Sequence, residues 1–436
     1  MTIIGILVGL IIIGLMMLVH EAGHFFAGKA LKFKIIEFSI FMGPRIFTTE
    51  KNGIKYSFKL LPIGASVQFA GEYKDDETIG SESINPDDPG LFFNRPRWMR
   101  AIVVAMGPFA NFLTAFLASV IMFSTFGVLI PVADEPPENS LAAEQGLTAG
   151  DKIIRINGQR IRTSADYSVA KSLINPQETI FLEIEKPDGK KETLTLEPKT
   201  QDNYRLGIVQ GITGDNKNVV LHVEPDSNQG NPVIEVGDKI LSVNNIPFSD
   251  SAATELIFQS KNETLHLVLL RDGKEITVDV KTTLYHDPVD DGIYFTESRA
   301  FGDIIYQAIQ YPWSIVKSTI RGIMMIIKGS MKFSEGITGP VGIVKMFGDV
   351  VQESPNISLM IQQLLFYFIL ISVAIGFTNL LPIPPLDGHH LLILAIEGIR
   401  GKDLPERFKH VVTAIGMVLI LVLAGFVIYF DLRRIF

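Results

Sequence analysis

No cysteine occurs among the 436 residues. That excludes disulfides, thiolate metal ligands and a cysteine nucleophile, and says little about compartment. Histidine is sparse: eight are present, at 20, 24, 222, 266, 286, 389, 390 and 410, so any metal must be held by these and by carboxylates. The net charge of -8 includes no basic cluster of the kind a nucleic-acid site needs. Charge is nearly missing from four stretches, about residues 3–27, 101–130, 357–383 and 411–430. Each is long enough to cross most of a bilayer core. With a mean hydropathy of +0.29, the composition predicts a multi-pass α-helical membrane protein with soluble parts.

The stretch His20-Glu21-Ala22-Gly23-His24 closes the first run. Continued as a helix, it puts His20 and His24 on one face, one turn apart. Two imidazoles so placed can take one zinc ion, with Glu21 reaching a water in the remaining position. Zinc draws the pKa of bound water towards neutrality, and a carboxylate beside it can take the proton. The bland alternative is a chance pattern on a soluble helix. Ionisable groups at membrane depth are costly and usually functional, which favours the metal site. The run has no basic leader and passes straight into this motif, so it is not read as a cleavable signal.

Lys and Arg crowd the connections between spans one and two (Lys29, Lys32, Lys34, Arg95, Arg97, Arg100) and between spans three and four (Arg400, Lys402, Arg407, Lys409). The positive-inside tendency then puts both termini and the large middle region outside the cytoplasm. Residues 35–71 read as strands with a hairpin turn at Asn52-Gly53. They carry so many apolar residues that the sheet is expected to lean into the bilayer beside the site. The second span carries Gly107-Pro108 and Asn111; an intramembrane Asn is either interhelical glue or a cavity residue.

Residues 131–285 read as a repeat. Gly150-Asp151-Lys152-Ile153 precedes Ile156-Asn157-Gly158, and Gly237-Asp238-Lys239-Ile240 precedes Val243-Asn244-Asn245. Each copy continues through a short helix into strands, Thr179–Glu185 or Thr264–Leu270. Each looks like a PDZ domain, a fold that can bind an extended peptide by strand addition. Neither shows a clear carboxylate-binding loop. Phe301–Phe333 has apolar residues at helical spacing with interleaved cations, as in helices on a membrane surface, with Pro312 as a break.

The third span runs into Pro382-Ile383-Pro384-Pro385-Leu386-Asp387-Gly388-His389-His390. The prolines break the helix at membrane depth, and Asp387 is the first charge after a long uncharged stretch. A zinc on two histidines needs a third protein ligand. Asp387 is the natural carboxylate, ahead of His389 and His390, and Gly388 lets another backbone come close.

Taken in order, these pieces resemble the site-2 protease family of intramembrane zinc metalloproteases, most closely its bacterial members with tandem PDZ domains. The resemblance runs nearly end to end. It rests on His20-Glu21-x-x-His24, Gly107-Pro108-x-x-Asn111, Ile337-Thr338-Gly339-Pro340-Val341, and Asn379-x-x-Pro382 through Leu386-Asp387-Gly388. It implies Zn2+ as cofactor, His20, His24 and Asp387 as its ligands, Glu21 as general base, and Asn379 as a residue holding the substrate backbone. It further implies a membrane re-entrant β-loop at 35–71 and a PDZ pair filtering substrates already trimmed outside. The substrates would be single-pass membrane proteins such as anti-sigma factors or remnant signal peptides, in the bacterial inner membrane. Two positions depart from the family pattern: His389 stands where a second glycine is common, and Gly64-Ala65 where paired glycines are usual. The extra imidazole of His389 near the metal reads as a group supporting the ligands, a competing ligand or an interfacial residue, with the last favoured.

The organisation expected is therefore four transmembrane helices, a membrane-associated β-sheet and two extracytoplasmic PDZ-like domains. Residues 1–130 carry spans one and two with the sheet, 131–203 and 204–285 the two domains, 286–356 a linker with surface helices, and 357–436 spans three and four. A scaffold with an inactive metal site and a metal transporter are the rivals. Intact Glu21 speaks against the first, and a fourth span with only Thr413 as a polar group against the second.

Overall fold

The computed structural model describes residues 3–71, 78–79, 82–83, 85, 87–175, 177–211, 217–249, 251–329 and 337–435. The chain divides into two units, Met1–Ile130 with Glu297–Phe436, and Pro131–Thr296.

In the first unit the main elements are helix α1 (Ile3–Ala30), strands β1 (Ile35–Lys51) and β2 (Ile54–Phe69), and helices α2 (Arg97–Phe126), α3 (Phe301–Ile327), α4 (Pro340–Glu353), α5 (Ile357–Asn379), α6 (Asp387–Arg400) and α7 (Glu406–Ile435). Helices α1, α2, α5 and α7 are long and apolar enough to cross a membrane. Local chemistry sets their ends. Helix α2 stops at Phe126 because Gly127 turns to a φ of 82°, and Val128 onwards is strand. Asn356 starts α5 by accepting from the Leu359 amide at 2.9 Å. That helix ends at Asn379, before the prolines.

Glycines set how closely the helices approach. A Cβ at Gly5 would lie 2.5 Å from the Gly348 Cα of α4, so α1 and α4 touch through backbone. Gly23, inside the histidine motif, allows the same with α2, where a side chain would strike the Met106 carbonyl. Helix α3 runs unbroken through Pro312, contrary to expectation. Tyr311, Pro312 and Ile315 are buried, the helix packs on α2 and α5, and Tyr311 meets Phe123 edge-on at 5.5 Å. That packing holds the helix across the missing N–H.

Strands β1 and β2 form a hairpin turned at Asn52-Gly53, both at positive φ. The hairpin is bent back on itself. Glu37–Ile40 lies between Lys55–Phe58 on one side and Ala65–Gln68 on the other, so Arg45–Lys51 and Ala65–Phe69 are the edges. Glu37 is buried and takes a two-point contact from Arg45, at 3.0 and 2.9 Å. Ile46, Phe47, Leu60 and Leu61 at the outer part of the hairpin are more than half exposed.

The second unit is rich in sheet. One sheet contains Val128–Ala133, Lys152–Ile156, Ile180–Glu185 and Lys191–Leu196, and a second contains Lys239–Val243, Thr264–Arg271 and Lys274–Lys281. Each has its own apolar core, around Ile153, Leu182 and Ile184 in one and Ile240, Leu267 and Leu269 in the other. The two similar sequence stretches have similar geometry. Asp151 accepts from the Thr148 amide and from Lys186, and Asp238 from the Glu235 amide and from Arg271. Asn157 and Asn244 both take positive φ and both accept from a strand amide, of Phe181 and of His266. The first sheet also draws on residues far along the chain: Phe295–Ser298 pairs beside Val128–Ala133, and Ile293 joins the first core. Within residues 286–298, the ends belong to strands Thr283–Pro288 and Phe295–Ser298, and Ile293 between them is core. Thr200–Arg205 pairs with Thr283–Pro288 where the chain enters and leaves the second sheet.

Candidate active site

Helix α1 is continuous through His20 and His24, so the four-residue spacing delivers both rings to one face, and both are buried. Asp387 is the first residue of α6, after the turn that the prolines impose. That turn is closed by the Leu386 amide donating to the Ile383 carbonyl at 2.9 Å. Gly388 lies against the carbonyls of Leu380 and Leu381, where no Cβ would fit. The close backbone approach read from the sequence at this glycine is therefore present.

Three side chains from two distant parts of the chain converge. His20 Nε2 and His24 Nε2 are 3.2 Å apart, and Asp387 Oδ2 is 3.0 Å from the first and 3.4 Å from the second. These are the His/carboxylate donors that lie together as a possible metal-holding group among the described residues. Ligand atoms 2.0–2.2 Å from a tetrahedral zinc lie roughly 3.3–3.6 Å from one another, close to this triangle. Asp387 Oδ2 is buried and has no aligned hydrogen bond there. On the far side of its ring, His24 Nδ1 donates to the Val103 carbonyl at 2.9 Å. That fixes the proton on Nδ1 and leaves the Nε2 lone pair for a metal. The donor set therefore fits zinc. Gly107 on α2 is part of the fit, since any side chain there would strike the two Nε2 atoms.

Glu21 points from α1 towards the sheet, and its Oε2 accepts from the Val67 amide at 3.0 Å. Val67 belongs to the edge segment Ala65–Phe69, so this edge of the sheet borders the site. Glu21, His24 and Asp387 line a cavity of about 250 Å³ that continues to His390, Arg100 and Lys409. Asn379, half-buried, closes α5 eight residues before Asp387 and is not part of the donor triangle.

Some of this was not foreseen. His389, two residues into α6, is buried, with its Nε2 unpartnered. Glu397 is fully buried and pairs with Lys409 at 2.8 Å. The sequence did signal it, as a lone acid on an apolar helix stretch. The roles of Gly23 and Gly107 depend on which helix lies opposite, which no local pattern records.

The model of Peptidase family M50 matches residues 8–423. The Escherichia coli (strain K12) protein named regulator of sigma-E protease RseP is 26% identical over 98% of this chain and 97% of its own length. Protease RseP of Yersinia pestis is 28% identical over the same shares. A Rhizobium meliloti protein, 26% identical over 98% of this chain and 96% of its own length, bears a zinc metalloprotease name. Extending over nearly the whole chain and including both halves of the donor triangle, the match makes this protein a member of Peptidase family M50, a zinc metalloprotease.

Proposed function

We propose that this protein cleaves membrane-spanning segments of single-pass membrane proteins, with His20, His24 and Asp387 holding zinc and Glu21 as the general base. The observation that carries the reading is the triangle of Nε2, Nε2 and Oδ2 at 3.0–3.4 Å, with Glu21 on the same helix. Bound zinc supplies a polarised water and a Lewis acid for the scissile carbonyl. Glu21 takes the proton from the attacking water and returns it to the leaving amine. Asn379 holds the substrate backbone near the developing oxyanion.

A helical substrate keeps its carbonyls in its own hydrogen bonds and must unwind to be cut. The edge Ala65–Phe69 offers new partners by strand addition. The exposed apolar side chains of the hairpin, Ile46, Phe47, Leu60 and Leu61, support its lying in lipid beside the site. The two sheets of residues 131–296 are read as PDZ modules outside the inner membrane, filtering substrates already trimmed by another protease. Anti-sigma factors and remnant signal peptides are the substrate classes this reading favours, consistent with the relatives named regulators of sigma-E protease.

The test is Glu21→Gln in proteoliposomes with a single-pass substrate. The amide keeps the shape and cannot take the proton, so zinc content should be unchanged and cleavage should fall by at least about a hundredfold, the usual scale of general-base loss. Cleavage at the wild-type rate would refute the mechanism.

A further inference from the structure

We propose that Asn111 is a positioning residue for the metal centre, holding the His20 ring with its proton on Nδ1 so that Nε2 is free to ligate. The inference rests on the reading of His20 as a ligand and goes beyond it.

Asn111 is fully buried on α2, one turn beyond Gly107. The two residues therefore share a helix face, and that face meets the His20–His24 face of α1. Gly107 lies against the two Nε2 atoms, while the Asn111 amide lies behind His20, with Nδ2 placed 3.3 Å from His20 Nδ1. In that placement the amide nitrogen would donate to Nδ1, and the ring proton would fall on Nε2. But Nε2 is the atom that faces His24 Nε2 and Asp387 Oδ2. An Nε2 carrying a proton has no lone pair for zinc.

The two halves of an asparagine amide have nearly the same shape, and their assignment follows from the hydrogen-bond network. As placed, Asn111 Oδ1 is buried with no partner. Turning the amide puts Oδ1 against Nδ1, where it accepts the ring proton. His20 then matches His24, whose Nδ1 donates to the Val103 carbonyl. Each ligand imidazole has its outer nitrogen tied to an oxygen of α2, an arrangement that fixes tautomer and ring plane.

The asparagine is itself held. Ser372 Oγ on α5 donates to the Asn111 backbone carbonyl at 3.0 Å, and Gly376 leaves room for its Cβ. The plain alternative is interhelical glue, and Ser372 separates the two roles, because it ties α5 to α2 without touching the amide.

The experiment measures zinc affinity of the purified full-length protein by competition with a chelator, and the melting of the metal-free protein in parallel. Asn111→Leu keeps the volume and removes the acceptor, and should weaken zinc by about 10–100-fold with little change in metal-free melting. Asn111→Asp restores an acceptor and should bind zinc at least as tightly as wild type. Ser372→Ala should leave zinc affinity unchanged. Wild-type affinity in Asn111→Leu, or an equal loss in Ser372→Ala, would overturn the proposal. If Asn111→Leu does not fold, Asn111→Asp decides: a tenfold loss there would mean that the amide nitrogen, not the oxygen, faces His20. Loss of zinc affinity on His20→Ala is the separate check on the underlying ligand assignment.

Discussion

Asp387 and His389 sit two residues apart at the start of one helix, yet only Asp387 joins the donor triangle. An α-helix turns about 100° per residue, so side chains two apart point nearly opposite ways. Asp387→Ala should therefore reduce zinc to well below one per chain and abolish cleavage, while His389→Ala should keep both. Elemental analysis of each purified variant, with cleavage in parallel, distinguishes them. Full zinc in the first variant and its loss in the second would reverse the assignment. The ligand candidates were legible because their signals are local: a four-residue spacing for His20 and His24, and a lone acid behind prolines for Asp387. The burial of His389 was not legible, since it depends on the residue at which α6 begins.

Elements show where tertiary packing overrides local signals. A proline at position 312 is a fair reason to break a helix, yet Tyr311, Pro312 and Ile315 are buried and the helix continues. The hairpin at Asn52-Gly53 was legible from its turn residues; the doubling back that makes Ala65–Phe69 an edge was not. The sheets of residues 131–296 carry a signal of a third kind, the recurring Gly-Asp. Asp238 is almost wholly buried. Burial alone would raise its pKa, but the Arg271 fork, with the Glu235 amide, holds it below the ordinary aspartate value. A depressed pKa gives stability that is present above the ordinary value, about 3.9, and lost as pH falls through the folded one. In Arg271→Leu the buried carboxylate loses its partner, which costs about 3–5 kcal/mol for a fully buried pair and less here, because Arg271 is a quarter exposed. The sign then reverses: the variant should be weakest at neutral pH and recover as acid neutralises Asp238. Hydrogen exchange of Lys239–Val243 in the intact protein, corrected for intrinsic rates, reads this directly. Parallel pH profiles for wild type and variant would show that the pair does not govern this sheet.

At the scale of the whole molecule, the order of spans and motifs was legible because hydropathy is additive along the chain, whereas strand pairing is not. Phe295–Ser298 pairs with Val128–Ala133 across more than 150 positions of sequence, and no local feature of either stretch names the other. This changes how a deletion should be made. A cut at 131–285 would leave residues 286–296 behind, including Ile293 without the core that buries it. Removing 131–296 takes the second unit as a whole. Its two flanks are also neighbours, since Gly127 lies against the Glu297 side chain, so a short flexible linker can rejoin them. All the donor atoms and Glu21 belong to the retained unit. The shortened protein should therefore hold one zinc and cut an already trimmed substrate at a rate within about threefold of the full chain, since the barrier is set by groups it keeps. If the removed unit filters substrates, the variant should also cut untrimmed substrates that the full chain rejects. Both rates can be measured side by side in proteoliposomes. A zinc-loaded variant that cuts neither substrate would place part of the catalytic machinery in the removed unit, and one that still rejects the untrimmed substrate would place the filter in the membrane part.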